Sequence, residues 1–401
     1  MPVRTSYRDI FLLACCQALL LVNNSALIAM NGLVGYALAG NKALATAGAT
    51  TFVLGSAASA MPASLWMAKV GRRRGFMTGS VVAIVGSTTC ALALALSSFA
   101  LFCLGTAIIG VYTAFGLQYR FAAAEVASPA FKAKAISLVL AGGIAGGFLG
   151  PEASRWGREL LPVPFLGSFL ALSAIALVAF GVQSQVRVPM PTLAERGGSR
   201  PLAEIVAQPV FVVAALSAAL GYGVMNLLMT ATPLAMNFCN YPYAAATFVI
   251  EWHVVGMYAP GFFTGSLIQR FGVLKVIVTG TALVAAAVGV ALAGNQIAHF
   301  WAALVLLGIG WNLMYTGGTT LLTEAYTPRD KAKTQGLNDF IVFAVMGVSS
   351  LSSGALIDAA GWDRMNAVAL PFVAVVALAA LWLGALRRKR RVGGVTPPKA
   401  M

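Results

Sequence analysis

The sequence predicts an all-α integral membrane protein: twelve transmembrane helices in two pseudo-symmetric six-helix bundles. Three observations lead there. The 401-residue chain is 59% hydrophobic and only 10% charged, with a mean hydropathy of +0.84. Its basic residues gather in short clusters between apolar runs. A ten-residue cassette is written twice, as EVASPAFKAK at 125–134 and EAYTPRDKAK at 324–333.

Composition comes first. A soluble domain carries about a quarter charged residues, so the solvent for most of this chain is lipid. Crossing the hydrocarbon takes about 20 residues of helix. On that count spans fall near 10–36, 44–68, 75–96, 99–122, 135–156 and 162–185, then 208–236, 245–269, 273–294, 299–322, 334–357 and 366–386. The first apolar run follows Arg4 and Arg8 and is too long for a cleavable signal, so it reads as an uncleaved first span. The Pro- and Gly-containing stretch between the sets reads as a linker. The expected division is 1–185 for the N-terminal bundle, 186–207 for a cytoplasmic linker, and 208–401 for the C-terminal bundle with its basic tail.

Orientation follows from the basic residues. With both ends cytoplasmic, all of the 27 Lys and Arg lie on that side except Lys42, Arg155, Arg158 and Arg364. This is the positive-inside bias, and it accounts for the net charge of +15 without a nucleic-acid partner. It also gives the tail RRKRRVGG a role as a topological anchor at the inner leaflet. The five cysteines have neither metal-ligand spacing nor a disulfide framework and read as packing residues.

Both cassettes then fall in cytoplasmic loops, after spans 4 and 10. Glu, Pro, Lys, Ala and Lys repeat in register. Parallel repeats related by an axis along the membrane normal are an architecture of secondary transporters. A second repeat supports this: SLWMAKVGRRRG follows span 2 and GSLIQRFGVLK follows span 8, with Gly71 and Gly272 in matching places.

These loops resemble the signature loop of the major facilitator superfamily, a small residue leading to Asp-Arg-x-Gly-Arg-Arg. Ser64, Lys69, Gly71, Arg72 and Arg73 take those places in the first half, and Gly265, Arg270 and Gly272 in the second. The acidic position is Ala68 in one half and Gln269 in the other, so its usual role in locking the cytoplasmic face does not carry over. In span 5, Gly146, Gly150 and Pro151 are similar to the antiporter motif of the family, although Ser154 and Arg155 replace its trailing glycines. Small residues four apart let helices approach closely, and proline interrupts helical bonding. The resemblance tilts the reading toward export.

A cytoplasmic gate is expected from these loops: Glu125 against the Arg72–Arg74 cluster, and Glu324 near Arg270 and Lys275. Weak, breakable pairs suit a gate; the alternative is that the basic residues only set topology. The resemblance places span 11 beside span 2, where Asp339 would supply the missing carboxylate by pairing with Lys69 or Arg72.

Intramembrane charge is costly and calls for a role. Glu251 and His253, about 8–11 Å from the outer end of span 8, are the proton-coupling candidates. A structural hydrogen bond, or a wet position for Glu251, is the alternative. Glu152 and Arg155 read as a structural pair. The family places spans 1, 4, 7 and 10 around a central cavity. The cavity candidates are Asn24 and Asn31; Tyr112, Tyr119 and Arg120; Tyr222 and Asn226; and Trp311, Asn312 and Tyr315. Interhelical glue is the competing role for each. Arg120 fits either the cytoplasmic network or a cavity site for an anionic solute.

No Walker loop, H-E-x-x-H, paired-cysteine site or Ser-His-Asp set occurs, and two histidines offer little to a metal or haem. The reading is therefore not an enzyme, with no cofactor. It is a secondary active transporter of a small organic solute in a bacterial inner membrane, a monomer by resemblance, with proton-coupled export first. Proton-coupled uptake of a nutrient or organic anion is the alternative. A transporter-like sensor or assembly protein that moves no solute is the alternative from another class.

Overall fold

A computed structural model describes residues 5–41, 44, 47–190 and 200–392. Lys42, residues 191–199 of the expected linker and the end of the basic tail lie outside the described residues. The first bundle contains α1 (Tyr7–Leu38), α2 (Ala47–Val70), α3 (Arg72–Ala95), α4 (Phe99–Gly116), α5 (Tyr119–Glu125), α6 (Lys132–Ala141), α7 (Gly143–Arg158) and α8 (Leu166–Gln183). A short α9 (Leu202–Val206) leads to the second bundle. That bundle contains α10 (Pro209–Phe238), α11 (Tyr243–Tyr258), α12 (Gly261–Phe271), α13 (Val273–Leu292), α14 (Ile297–Leu322) and α15 (Lys331–Val392). The run of α15 turns at Gly361, where φ is +74°, and it carries two apolar stretches of membrane length, Lys331–Ser353 and Leu356–Lys389.

Joining α4 with α5, α6 with α7, and α11 with α12, and dividing α15 at Gly361, leaves twelve crossings. Among the described residues, ten stretches are apolar and long enough to span by themselves. The other two have local reasons for falling short. α2 is diluted by Gly, Ser and Thr, and the eighth crossing is interrupted at Ala259–Pro260 because proline has no N–H to donate. The fifth crossing also differs from expectation. Helix α7 runs on through Pro151, and the interruption falls at Gly142, where a Cβ would meet the Ala14 carbonyl oxygen at 2.3 Å.

Each bundle has its own apolar interior. Two buried clusters draw only on the first bundle, around Leu13, Phe76 and Tyr112 and around Met30, Phe102 and Phe169. A third centres on α10, α13, α14 and α15 and takes in Phe121, Ile136 and Leu140 from across the divide. Gly146 and Gly150 seat α7 on α1: Cβ atoms there would meet Leu21 Cβ at 2.2 Å and Ser25 Cβ at 2.6 Å.

The pseudo-symmetry reaches the backbone dihedrals. Gly71 has φ +88° and ψ 159°, and Gly272 has φ +89° and ψ 149°. This region is open essentially to glycine alone. Each N–H closes its helix on a carbonyl four residues back, Met67 and Ile268, both at 2.9 Å.

The bundles then clasp each other reciprocally. The first half's loop lies on the second half's cassette, with Ser64 Oγ donating to the Ala332 carbonyl at 2.8 Å. The second half's loop lies on the first half's cassette, where a Cβ on Gly265 would meet Lys134 Cα at 2.4 Å. Gly265 N–H donates to Ser137 Oγ at 3.0 Å, and Gln269 Nε2 to the Ala130 carbonyl at 2.5 Å. The repeated cassettes are thus the landing surfaces for each other's loops. Small residues at Ser64 and Gly265 permit the approach.

Candidate functional site

Above this clasp the two bundles share a buried polar network. Asp339, on α15, forms an ion pair with Arg120 of α5; the side chains are 0% and 1% exposed. Gln118, in the turn between α4 and α5, donates to Asp339 Oδ2 at 2.8 Å, and Asn338 donates to Oδ1 at 3.2 Å. The carboxylate is thereby well satisfied. Arg120 is not: its Nε and Nη1 are buried without partners. Its guanidinium lies 4.6 Å over the Tyr315 ring and 4.7 Å over Phe121.

Gln118 also ties this pair to a second layer. Its Oε1 accepts from Arg72 Nη1 at 2.9 Å. Arg72 Nη2 reaches Glu125 Oε1 at 2.7 Å and Gln335 Oε1 at 2.5 Å. Lys331 Nζ lies 3.3 Å from the same Glu125 oxygen. Charge therefore crosses the divide twice, at Arg120–Asp339 and at Glu125–Lys331. Desolvated charges survive because they are paired. Removing one partner of such a buried pair typically costs about 3–5 kcal/mol, and an orphaned buried donor about 1–3 kcal/mol.

Two further carboxylates, Asp9 and Asp330, tie the linker segments at the helix ends, and Asp330 lies outside the membrane stretches. Asp9, at the start of α1, accepts from the Arg187 N–H at 3.0 Å. Asp330 accepts from the Arg200 N–H at 2.8 Å and from its Nε at 2.6 Å. Burial works against the Asp330 charge. The bonds from Arg200 and Thr327 outweigh it and hold the carboxyl below its ordinary value of 3.8.

Aromatic rings form a wall beside Arg120. Trp311 and Tyr315 stack with centroids 5.0 Å apart at 14°. Tyr222 meets both edge-on, at 5.3 and 5.4 Å, and Tyr258 meets Trp311 at 5.8 Å. Trp311 Nε1 and Tyr315 OH are buried without partners. Tyr222 is only half-buried, whereas Trp311, Tyr315 and Tyr258 are buried.

The other expected residues scatter. Asn24 accepts from Thr113 at 3.1 Å, and Asn226 donates to Ser349 at 3.0 Å. Asn31 is buried against Gly48. Tyr119 takes a bond from Gln183 at 2.7 Å inside the first bundle, beside Tyr112 in the same buried cluster. Asn312 closes the interrupted crossing, donating to the Met257 carbonyl at 2.6 Å and accepting from Thr264 at 2.8 Å. Glu251 is exposed, and His253 is buried with Nδ1 2.7 Å from the Leu304 carbonyl, so neither joins the network.

Two expected pairings differ. Asp339 takes Arg120 rather than Lys69 or Arg72, because Lys69 points outward and Arg72 is engaged by Glu125. Glu324 takes Arg387 of α15 at 2.6 Å rather than Arg270 or Lys275. Arg73 is exposed, as are Arg270 and Lys275. Glu152 and Arg155 do pair, at 2.5 Å on the surface. Gln118, Gln335 and Lys331 were not singled out as gate residues. Lys331 belongs to the repeated cassette, which was the available signal; nothing marked Gln335.

Known proteins show the same plan. The Major Facilitator Superfamily profile matches residues 13–258 and 248–400. The riboflavin transporter RfnT of Brucella anthropi is 38% identical over 374 residues, covering 92% of this chain and 94% of that one. An uncharacterised transporter of the same type from Bacillus subtilis, YdeG, is 28% identical, covering 87% and 84%. Among solved structures, the fucose:proton symporter FucP of E. coli superposes with a TM-score of 0.77 at 16% identity, covering 94% and 99%. The human organic anion transporter MFSD10 gives 0.74 at 13%, covering 93% and 99%. With the reciprocal clasp, the twelve crossings and the profile match in agreement, this chain is a transporter of the Major Facilitator Superfamily.

Proposed function

We propose that the chain carries a small organic solute, with riboflavin as first candidate, across a bacterial inner membrane by alternating access. The observation that carries this reading is the Arg120–Asp339 pair, an ion pair buried at the divide with one partner from each bundle. A contact of that kind sits where rocking bundles must separate, next to an aromatic wall suited to an organic ring. The 38% identity to a riboflavin transporter supplies the candidate. The positive-inside bias of the basic clusters supports a cytoplasmic position for the clasped face and both termini, and the clasp then reads as a cytoplasmic gate in its closed state.

Proton coupling, in this reading, belongs to Asp339 rather than Glu251 or His253. A proton on Asp339 cancels the charge that holds Arg120 and frees the bundles to part. Direction stays open between uptake and export. The Gly146–Pro151 motif seats α7 on α1, a role that serves either direction equally.

Purified protein in liposomes tests the reading. Riboflavin entry, followed by its fluorescence, should appear only in liposomes containing the protein and should accelerate under a pH gradient. Failure to move riboflavin would remove the candidate, and equal rates with and without the gradient would remove proton coupling.

A further inference from the structure

The buried donors around Arg120 have a chemistry that the ion pair leaves unused. Arg120 Nε and Nη1, Trp311 Nε1 and Tyr315 OH lie in one contiguous cluster, each without a partner. Arginine and tryptophan side chains donate and cannot accept. A ligand that satisfies this group must present acceptors. The charge is already balanced, since Asp339 neutralises Arg120 at contact distance. An anion entering here would compete with a carboxylate that three donors hold, from Arg120, Gln118 and Asn338. A neutral carbonyl or ring nitrogen needs no such exchange.

Shape adds a second constraint. The faces of Trp311 and Tyr315 cover each other, and the Arg120 guanidinium lies 4.6 Å from the centre of the Tyr315 ring. Tyr222 is the half-buried ring, in edge contact with both. A solute that swings Tyr222 aside uncovers the ring edges, and with them the Trp311 N–H and the Tyr315 hydroxyl.

We infer that this cluster is a recognition site for the acceptor-bearing edge of a neutral planar heterocycle, with Tyr222 as its movable cover. The inference rests on the transporter reading and deepens it: the dione edge of an isoalloxazine ring fits, and an organic anion does not. Trp311, Tyr315 and Arg120 are the specificity-determining residues.

The test is binding to the full-length protein in detergent, read by thermal shift and by flavin fluorescence. The probes are riboflavin, its neutral ring fragment lumichrome, uracil, and the anions benzoate and flavin mononucleotide. Neutral diones should raise the melting temperature, and benzoate should not. Tyr315→Phe removes one donor and keeps its ring, and Trp311→Phe removes the indole N–H and leaves a smaller aromatic ring, so each should weaken dione binding about three- to tenfold. The unliganded melting temperature of Tyr315→Phe should match the parent, while that of Trp311→Phe should fall with the buried volume it loses. Tyr222→Ala should leave binding measurable and speed its onset. If riboflavin fails but lumichrome or uracil binds and the donor variants lose it, the site stands and riboflavin as solute falls. The inference is overturned by unchanged dione affinity in both donor variants, by preference for benzoate, or by no binding of any probe.

Discussion

Arg120 and Asp339 stand 219 positions apart in the chain and form a completely buried ion pair, one partner from each bundle. Two charges in that position hold the bundles together only while both are present. Deleting either leaves the other desolvated and alone.

Asp339→Asn should therefore lower stability by about 3–5 kcal/mol with the bundles closed, and Arg120→Gln should do the same. The double variant should be more stable than either single one, because no unpaired charge remains. Thermal unfolding in detergent measures all four proteins. Additive losses would mean that the two side chains act independently.

The lower layer predicts a shift of conformation rather than of stability. Glu125 holds both Arg72 and Lys331. Glu125→Gln weakens charge-assisted bonds worth roughly 1–3 kcal/mol, enough to move a two-state equilibrium about 5- to 150-fold toward the open cytoplasmic face. Thiol labelling of a cysteine placed at Ala68, beside this cluster, should accelerate accordingly, with little change in the melting temperature.

Much of this was legible before any coordinates, and the reason is periodicity. Apolar runs of membrane length gave the crossings, and the two decads with Gly71 and Gly272 gave the repeat. Those signals are local or recur at a constant offset. The partner of Asp339 was not legible in the same way. It depends on Gln118 and Arg120 being turned inward by the break between α4 and α5, and nothing in GLQYR announces that break. Polar residues misled for a related reason. Asn312, Tyr119 and Asn226 each bond to groups inside their own bundle, whereas Tyr315 lies against Arg120 at the divide. Composition cannot tell an interior bond from a wet wall.

The anchoring pair outside the membrane makes a prediction about pH. Asp330 has its carboxyl below the ordinary 3.8, from burial opposed and outweighed by the bonds of Arg200. A carboxyl depressed on folding adds stability above its unfolded value and loses it as pH falls through the folded one. The melting-temperature gap between the parent and Asp330→Asn should be constant from about pH 7 to about pH 5 and shrink below ~4. A gap that widens on acidification would contradict the assignment.

The reciprocal clasp predicts a variant that folds but does not work. Gly265→Val places bulk against Lys134 Cα, across the divide and not within either bundle. Transport should fall more than tenfold, because 1.4 kcal/mol of strain in the closed state already costs that factor. The melting temperature should shift far less than for Gly110→Val, whose clash with the Phe52 carbonyl is internal to the first bundle.

The central claim is that the bundles part at Ser64 and Ala332 in every transport cycle. Cysteines at these two places, in a chain stripped of its five native cysteines, would be joined by an oxidant across a gap now closed by a 2.8 Å hydrogen bond. Riboflavin movement in liposomes should stop on cross-linking and return on reduction. Transport at an undiminished rate with the bridge intact would contradict the account.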